Sequence, residues 1–168
     1  VFEELGGGSV AIIGHRFTEE GKFRERYGVF NVGWVSWRRD ESGLACLEWY
    51  RERCLEWCFD DADGVRFADQ KYLDEWPERF PRVRAIAHKG CNLAPWNVEN
   101  YKYSLRNDHL HVDDDPLVFY HFHGFKKFAE PVWENTVIDS YRTTTRPMQT
   151  DIILERIYKP YSDAMAEA

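Results

Sequence analysis

Residues 9–59 place two short apolar runs ahead of a long stretch of helical periodicity, and that succession constrains the fold more than any other feature. Ser9 to Gly14 (SVAIIG) reads as a short buried strand and Val29 to Trp37 as a second, with the polar connection His15 to Tyr27 between them. From Asp40 to Phe59 the period lengthens. Leu44, Leu47, Cys54, Leu55 and Cys58 fall on one broad face, Arg51, Glu52 and Glu56 lie elsewhere, and Asp40 or Ser42 can cap the first turn. Strands and helices in alternation predict a mixed α/β fold, a mixed sheet with flanking helices.

The remainder continues in short pieces. Ala68 to Trp76 reads as a short helix stopped by Pro77, Arg82 to His88 as a small strand, and Gly90 to Asn100 as a loop rich in Asn, Pro and Trp. Tyr101 to Leu105 and Leu110 to Val112 flank Arg106-Asn107-Asp108, a hairpin turn, and a further strand runs into His121. Pro131 to Ile138 and Met148 to Tyr158 are predicted helices. With no internal repeat and no flexible linker, the 168 residues read as a single domain, 1–128 as its core and 129–168 as a C-terminal helical region.

Charge and cysteine usage narrow the function classes. The formal charge of −7 excludes generic nucleic-acid binding, which needs a basic face to displace counterions. The longest early run free of charge and proline, Tyr27 to Trp37, is too short to cross a bilayer, so no transmembrane anchor is expected. The opening VFEELGGGS has neither a basic region nor a long apolar one, so it does not read as a signal peptide; its apolar, acidic start looks like the inside of a helix and suggests missing upstream sequence. Cys46, Cys54, Cys58 and Cys91 form no C-x-x-C pair and read as reduced thiols of a cytoplasmic protein. Seven Trp, nine Tyr and eleven Phe can build a core or line a carbohydrate site.

Chemistry-bearing residues concentrate in four places. In LVFYHFHGFKKF, His121 and His123 sit two apart, so on a strand both project to one side just before the turn at Gly124, with lysines following. Imidazoles beside ammonium groups suit a divalent cation flanked by phosphate oxygens; a hydrogen-bonded core histidine is the plainer reading. Phe30-Asn31-Val32-Gly33 puts an amide and a glycine inside an apolar strand, where they allow close approach of a ligand or form a bulge. Asp69-Gln70 opens a helix, where a carboxylate can cap, hold sugar hydroxyls or stabilise positive charge at a reacting carbon. Asn92, Trp96 and Asn97 share a rigid loop that can stack on a sugar face or simply pack.

Taken in order, these pieces resemble one family. The segment HFHGFKK fits the H-F-x-G-x-x-K pattern of glycosyltransferases of the glycogenin and lipopolysaccharide-galactosyltransferase type, through His121, Gly124 and Lys127. Asn31-Val32-Gly33 looks like that family's N-x-G strand and Asp69-Gln70 like its D-Q helix start; CLEWCFDDADGVRFADQKYLDEWPERFP and NLAPWN resemble bacterial nucleotide-diphospho-sugar transferases. The resemblance covers residues 9–128. It implies a GT-A fold and transfer of a sugar, with retained configuration, from a nucleotide-diphospho-sugar to a glycan acceptor. It further implies a manganese (Mn2+) or magnesium (Mg2+) ion bound by His121, with His123 as a second candidate ligand, and Lys127 on the diphosphate. Asn31, Gly33, Asp69 and Gln70 would surround the transferred sugar, the last two as catalytic residues, with Asn92, Trp96, Asn97 and Gly124 in the substrate site.

The family's Asp-x-Asp metal motif, which ends an apolar strand ahead of N-x-G, has no counterpart before Asn31; Asp61-Ala62-Asp63 and Asp113-Asp114-Asp115 read as solvated acidic turns. The chain therefore looks like the acceptor-side half of such an enzyme, inactive by itself and prone to self-associate into a homo-oligomer through uncovered apolar surface. Two rivals remain: a non-catalytic carbohydrate-binding module, and a metal-dependent hydrolase built on His88, His109, His111, His121 and His123.

Overall fold

A computed structural model describes residues 2–129, 132–135 and 151–167, and the side chains of these except 126–129 and 132–135. The chain is mixed α/β and divides into two compact units, Val1–His88 and Lys89–Ala168.

In the first unit, a short helix α1 (Phe2–Leu5) leads into β1 (Val10–Gly14), which is the centre of a three-stranded sheet. β2 (Phe30–Trp37) pairs with it antiparallel and β3 (Val83–Ile86) parallel. The uninterrupted apolar run of β1 is explained by this position, since Val10 to Ile13 are at most 1% exposed. A 3-10 turn, Lys22–Tyr27, occupies the end of the polar connection between β1 and β2.

The long helix α2 (Glu41–Glu56) is capped by Asp40, whose Oδ1 accepts the Gly43 amide at 2.9 Å while Oδ2 accepts the Ser9 hydroxyl at 2.9 Å. Its buried face is not the leucine stripe expected from the sequence. Leu44, Leu47 and Leu55 are exposed, Leu55 by 73%, and Gly43 and Cys46 are buried with Trp49 and Tyr50 packed beside them. The ring system decides this orientation: Tyr50 meets Trp76 edge-on at 5.1 Å, Trp76 meets Trp37 at 5.8 Å, and Trp49 meets Phe80 at 5.9 Å. Aromatic rings bury more area than leucines, so the face that carries them turns inward.

Ala68 to Trp76 is not one helix. Lys71–Glu75 is 3-10, and α3 (Trp76–Arg79) follows directly with Pro77 in its first turn, where the missing N–H has no helical partner to lose.

In the second unit, β4 (Tyr103–Arg106), β5 (His109–Val112) and β6 (Asp115–Pro116) form an antiparallel meander. The β4–β5 turn is the expected one, with Asn107 and Asp108 both at positive φ (51° and 63°), as a two-residue hairpin loop of the twisted kind requires. The segment entering His121 is not a strand; only Tyr120 makes a bridge, parallel to Leu93. β7 (Phe125–Ala129) pairs with β8 (Val132–Asn135), so the helix expected over Pro131 to Ile138 is a strand where it is described. The helix expected over Met148 to Tyr158 is present from residue 151, π-wound over Leu154–Tyr158 and continuing as α4 (Lys159–Ala166). Its Ile153, Ile157 and Tyr158 join Leu93, Tyr101, Leu110 and Val112 in this unit's core.

Candidate functional site

The N-x-G and D-Q motifs, 39 residues apart, are joined in the first unit by a hydrogen bond from Asn31 Nδ2 to Gln70 Oε1 (3.2 Å). The contact depends on a bulge. Ile12 pairs with Val35 and the next residue, Ile13, with Asn31, so residues 32–34 of β2 loop out of the ladder. Asn31 closes that loop itself by accepting the Gly33 amide on Oδ1 at 2.8 Å. Asn31 is buried and Gly33 exposed.

A residue the motifs did not single out completes the cluster. His15, directly after β1 and 5% exposed, places Nε2 3.0 Å from Asn31 Nδ2. Because the amide nitrogen can only donate, Nε2 accepts and the ring proton lies on Nδ1, facing the Val29 carbonyl at 3.3 Å. Gln70 in turn donates Nε2 to the Tyr27 carbonyl at 3.1 Å. The sequence signal for His15 was its place at the end of a buried strand, where an imidazole must find partners.

Asp69, half-buried, faces α2. The Tyr50 hydroxyl has its pKa pushed up, first by burial and then by the negative charge of Asp69. Ala68, just before it, has φ +44°, and Arg16, just after His15, has φ +55°; both are conformations that L-residues adopt at a cost. Strained backbone thus borders the cluster at two of its entries.

The other expected site residues lie in the second unit. The loop Asn92 to Asn97 is buried throughout, and Asn92 has φ +58°. Asn97 is used in knitting the loop: Oδ1 accepts the Ala94 amide at 2.9 Å and Nδ2 donates to the Asn92 carbonyl at 3.0 Å. Trp96, 4% exposed, has its ring against both histidines, 5.0 Å from His121 and 5.5 Å from His123. The loop and the histidine segment are held together by the His121 amide on the Leu93 carbonyl (2.7 Å).

His121 and His123 do lie near one another, their ring centroids 6.0 Å apart, through this packing on Trp96 rather than through strand alternation. Burial, and for His121 also the neighbouring His123, hold both below the ordinary histidine range, so the neutral, electron-donating form is favoured. Gly124 takes φ +69°, which turns the chain into β7 and calls for glycine. Lys127 pairs with Trp133 in the β7–β8 ladder; its side chain lies outside the described ones.

Among the described residues, no group of three or more His, Cys, Asp or Glu side chains is placed to hold a metal ion. Two imidazoles without a carboxylate do not fit a magnesium or manganese site, which calls for oxygen ligands. The acidic turns have structural partners instead. Asp63 accepts the amides of Val65 and Arg66 and pairs with the Arg66 side chain, which brings its pKa to about 2. Asp113 pairs with Lys89, and Asp114 with Arg106. His109 and His111 stand on β5, and the described residues supply neither with the ligand set of a hydrolase.

The chain is 31% identical over 164 residues to uncharacterized protein YfnD of Bacillus subtilis (strain 168), a match covering 96% of this chain and 50% of that protein. It is 40% identical over 100 residues to uncharacterized protein YfnF of the same organism, covering 59% of this chain and 33% of that protein. The chain thus spans half or less of the length of the curated relatives it matches. No family model matches the sequence, and no solved structure matches the fold.

Proposed function

We propose that this chain is part of a glycosyltransferase that moves a sugar from a nucleotide-diphospho-sugar to a saccharide acceptor, and that it supplies the residues around the transferred sugar, as the acceptor-side half of a GT-A fold. The observation that carries the reading is the Asn31–Gln70 hydrogen bond: two motifs that the family resemblance pairs, far apart in sequence, meet at a buried amide cluster. There the remaining lone pair of Asn31 Oδ1 and the second hydrogen of Gln70 Nε2 hold hydroxyl groups in place, on amides already oriented by His15, Gly33 and Tyr27. Asp69 offsets positive charge that develops at the sugar carbon as its bond to the diphosphate lengthens. No step is assigned to a cation. With all four cysteines free, the setting is a reducing one such as the cytoplasm.

Titration of this chain with UDP-glucose, UDP-galactose, GDP-mannose and free UDP, with and without manganese, tests the proposal by calorimetry. Saturable binding of one nucleotide-sugar is expected, stronger than for the matching free nucleotide, and weakened about tenfold or more by Gln70→Ala. Glucose binding that ignores nucleotide would favour the carbohydrate-binding module, and tight metal binding by the chain alone would favour the hydrolase. Absence of binding to all three nucleotide-sugars would overturn the proposal.

A further inference from the structure

We infer that the β4 edge of the β4–β5–β6 sheet, with the β5–β6 turn beside it, binds an oxyanion, a phosphate or carboxylate group carried on a small hydrophilic molecule. A cleft of about 630 Å³ opens there, lined by polar residues that include Lys89, Lys102, Ser104, Arg106, Asp113 and Asp114. Its volume is that of a site for a small molecule rather than a bare ion. Strand alternation places Lys102, Ser104 and Arg106 in step along one edge, and the register sets His111 opposite Ser104 and His109 opposite Arg106. The residues between them, Tyr103, Leu110 and Val112, turn to the core.

Three cations stand at this cleft against two carboxylates, in a chain whose overall charge is −7. The carboxylates orient the cations without saturating them. Asp113 is tied to Lys89 at 2.7 Å and to the Lys102 amide at 2.9 Å, and Asp114, 95% exposed, reaches only one guanidinium nitrogen of Arg106 at 3.0 Å. An exposed pair of that kind yields readily to a better anion. The Lys102 ammonium has no carboxylate within ion-pair distance among the described residues, and the Ser104 hydroxyl, shielded from solvent, has no hydrogen-bond partner among them. A guanidinium fork and an exposed ammonium beside one space are the donors that a phosphate or carboxylate takes. The inference does not rest on the sugar-transfer reading.

The test is calorimetric and NMR titration of this chain with inorganic phosphate, glucose 6-phosphate, glucuronate and glucose. Glucose 6-phosphate or glucuronate is expected to bind in the millimolar range or tighter, weakening as NaCl rises, while glucose does not bind. Whichever of the two charged sugars binds more tightly identifies the oxyanion. Arg106→Ala and Lys102→Ala are expected to weaken binding about tenfold each, and Asp114→Asn to tighten it about two- to fivefold by removing the competing carboxylate. These side chains are exposed, and unchanged circular dichroism and melting would show that each variant folds. Arg51→Ala, which removes an exposed cation on α2, is expected to leave this binding unchanged, which separates the cleft from the general surface charge. Binding that survives both cation removals, or no binding of any of the three anions at about 10 mM, would overturn the inference.

Discussion

At Asn31 both donors of one amide are committed, to His15 and Gln70, and its oxygen accepts the Gly33 amide with one lone pair left over. Replacement by leucine keeps the size and strands the buried His15 nitrogen and the half-buried Gln70 oxygen, while the exposed Gly33 amide can turn to water. Asn31→Leu is therefore expected to cost about 2–4 kcal/mol, read as a fall in the urea midpoint at constant slope. Asn31→Asp would retain the Gly33 contact but lose both donors and set a buried carboxylate against Gln70 Oε1, so its cost should be at least as large. Ala68 shows the opposite kind of local conflict, because the residue holds a left-handed conformation while its amide closes the loop on the Phe59 carbonyl at 3.0 Å. Such strain next to Asp69 persists only because the surrounding contacts over-determine it.

The two histidines carry a pH dependence whose sign follows from their environment. Burial lowers both from the ordinary value of 6.5, so the unfolded chain binds more protons in the range just below that value. Their contribution is present above pH 6.5 and is lost as the pH falls from there through the lower folded values. The melting temperature is expected to drop between pH 7 and pH 5, and His121→Gln should flatten that slope. A wild-type curve with no slope in that interval would contradict the partly desolvated, neutral assignment.

Element-scale behaviour is clearest in α2, where helix propensity and packing give opposite answers at Gly43. By propensity alone, Gly43→Ala should stabilise a helix by about 0.5–1 kcal/mol. A Cβ at that position, however, would sit 2.1 Å from the Arg38 carbonyl oxygen and 3.1 Å from that of Ser9, both backbone atoms. The Arg38 amide donates to that Ser9 carbonyl at 2.7 Å, so the segment has no freedom to withdraw. Packing wins: Gly43→Ala is expected to lower stability by about 2 kcal/mol or more, measured by denaturant unfolding. The same close approach explains the orientation of α2. The glycine must face β1, and the turn geometry then carries Cys46 and Tyr50 inward and Leu44, Leu47 and Leu55 outward.

On the scale of the whole molecule, each unit has its own core: the first centred on Val10, Ile12, Leu73 and Trp76, the second on Leu93, Leu110, Val112 and Ile157. The candidate site residues divide accordingly, with Asn31, Gly33, Asp69 and Gln70 in the first unit and Asn92, Trp96, Asn97, His121, His123, Gly124 and Lys127 in the second. No helix among the described residues is long and apolar enough to cross a membrane.

The amino-acid sequence by itself determined the features set by near neighbours along the chain. These are the buried run of β1, the Asp40 cap, the Asn107-Asp108 hairpin, the left-handed turn at Gly124 and the mixed α/β class, because period, capping and turn chemistry act within a few residues. Tertiary structure alone decided what depends on distant partners. It chose between two apolar stripes on α2 according to which one met Trp37 and Trp76. It made β8 a strand by giving it β7 to pair with, and it drew His15 into the amide cluster through hydrogen bonds to Val29 and Asn31. Such outcomes are settled by the burial and hydrogen-bond demands of partners outside the segment itself, and the segment's own pattern does not encode them.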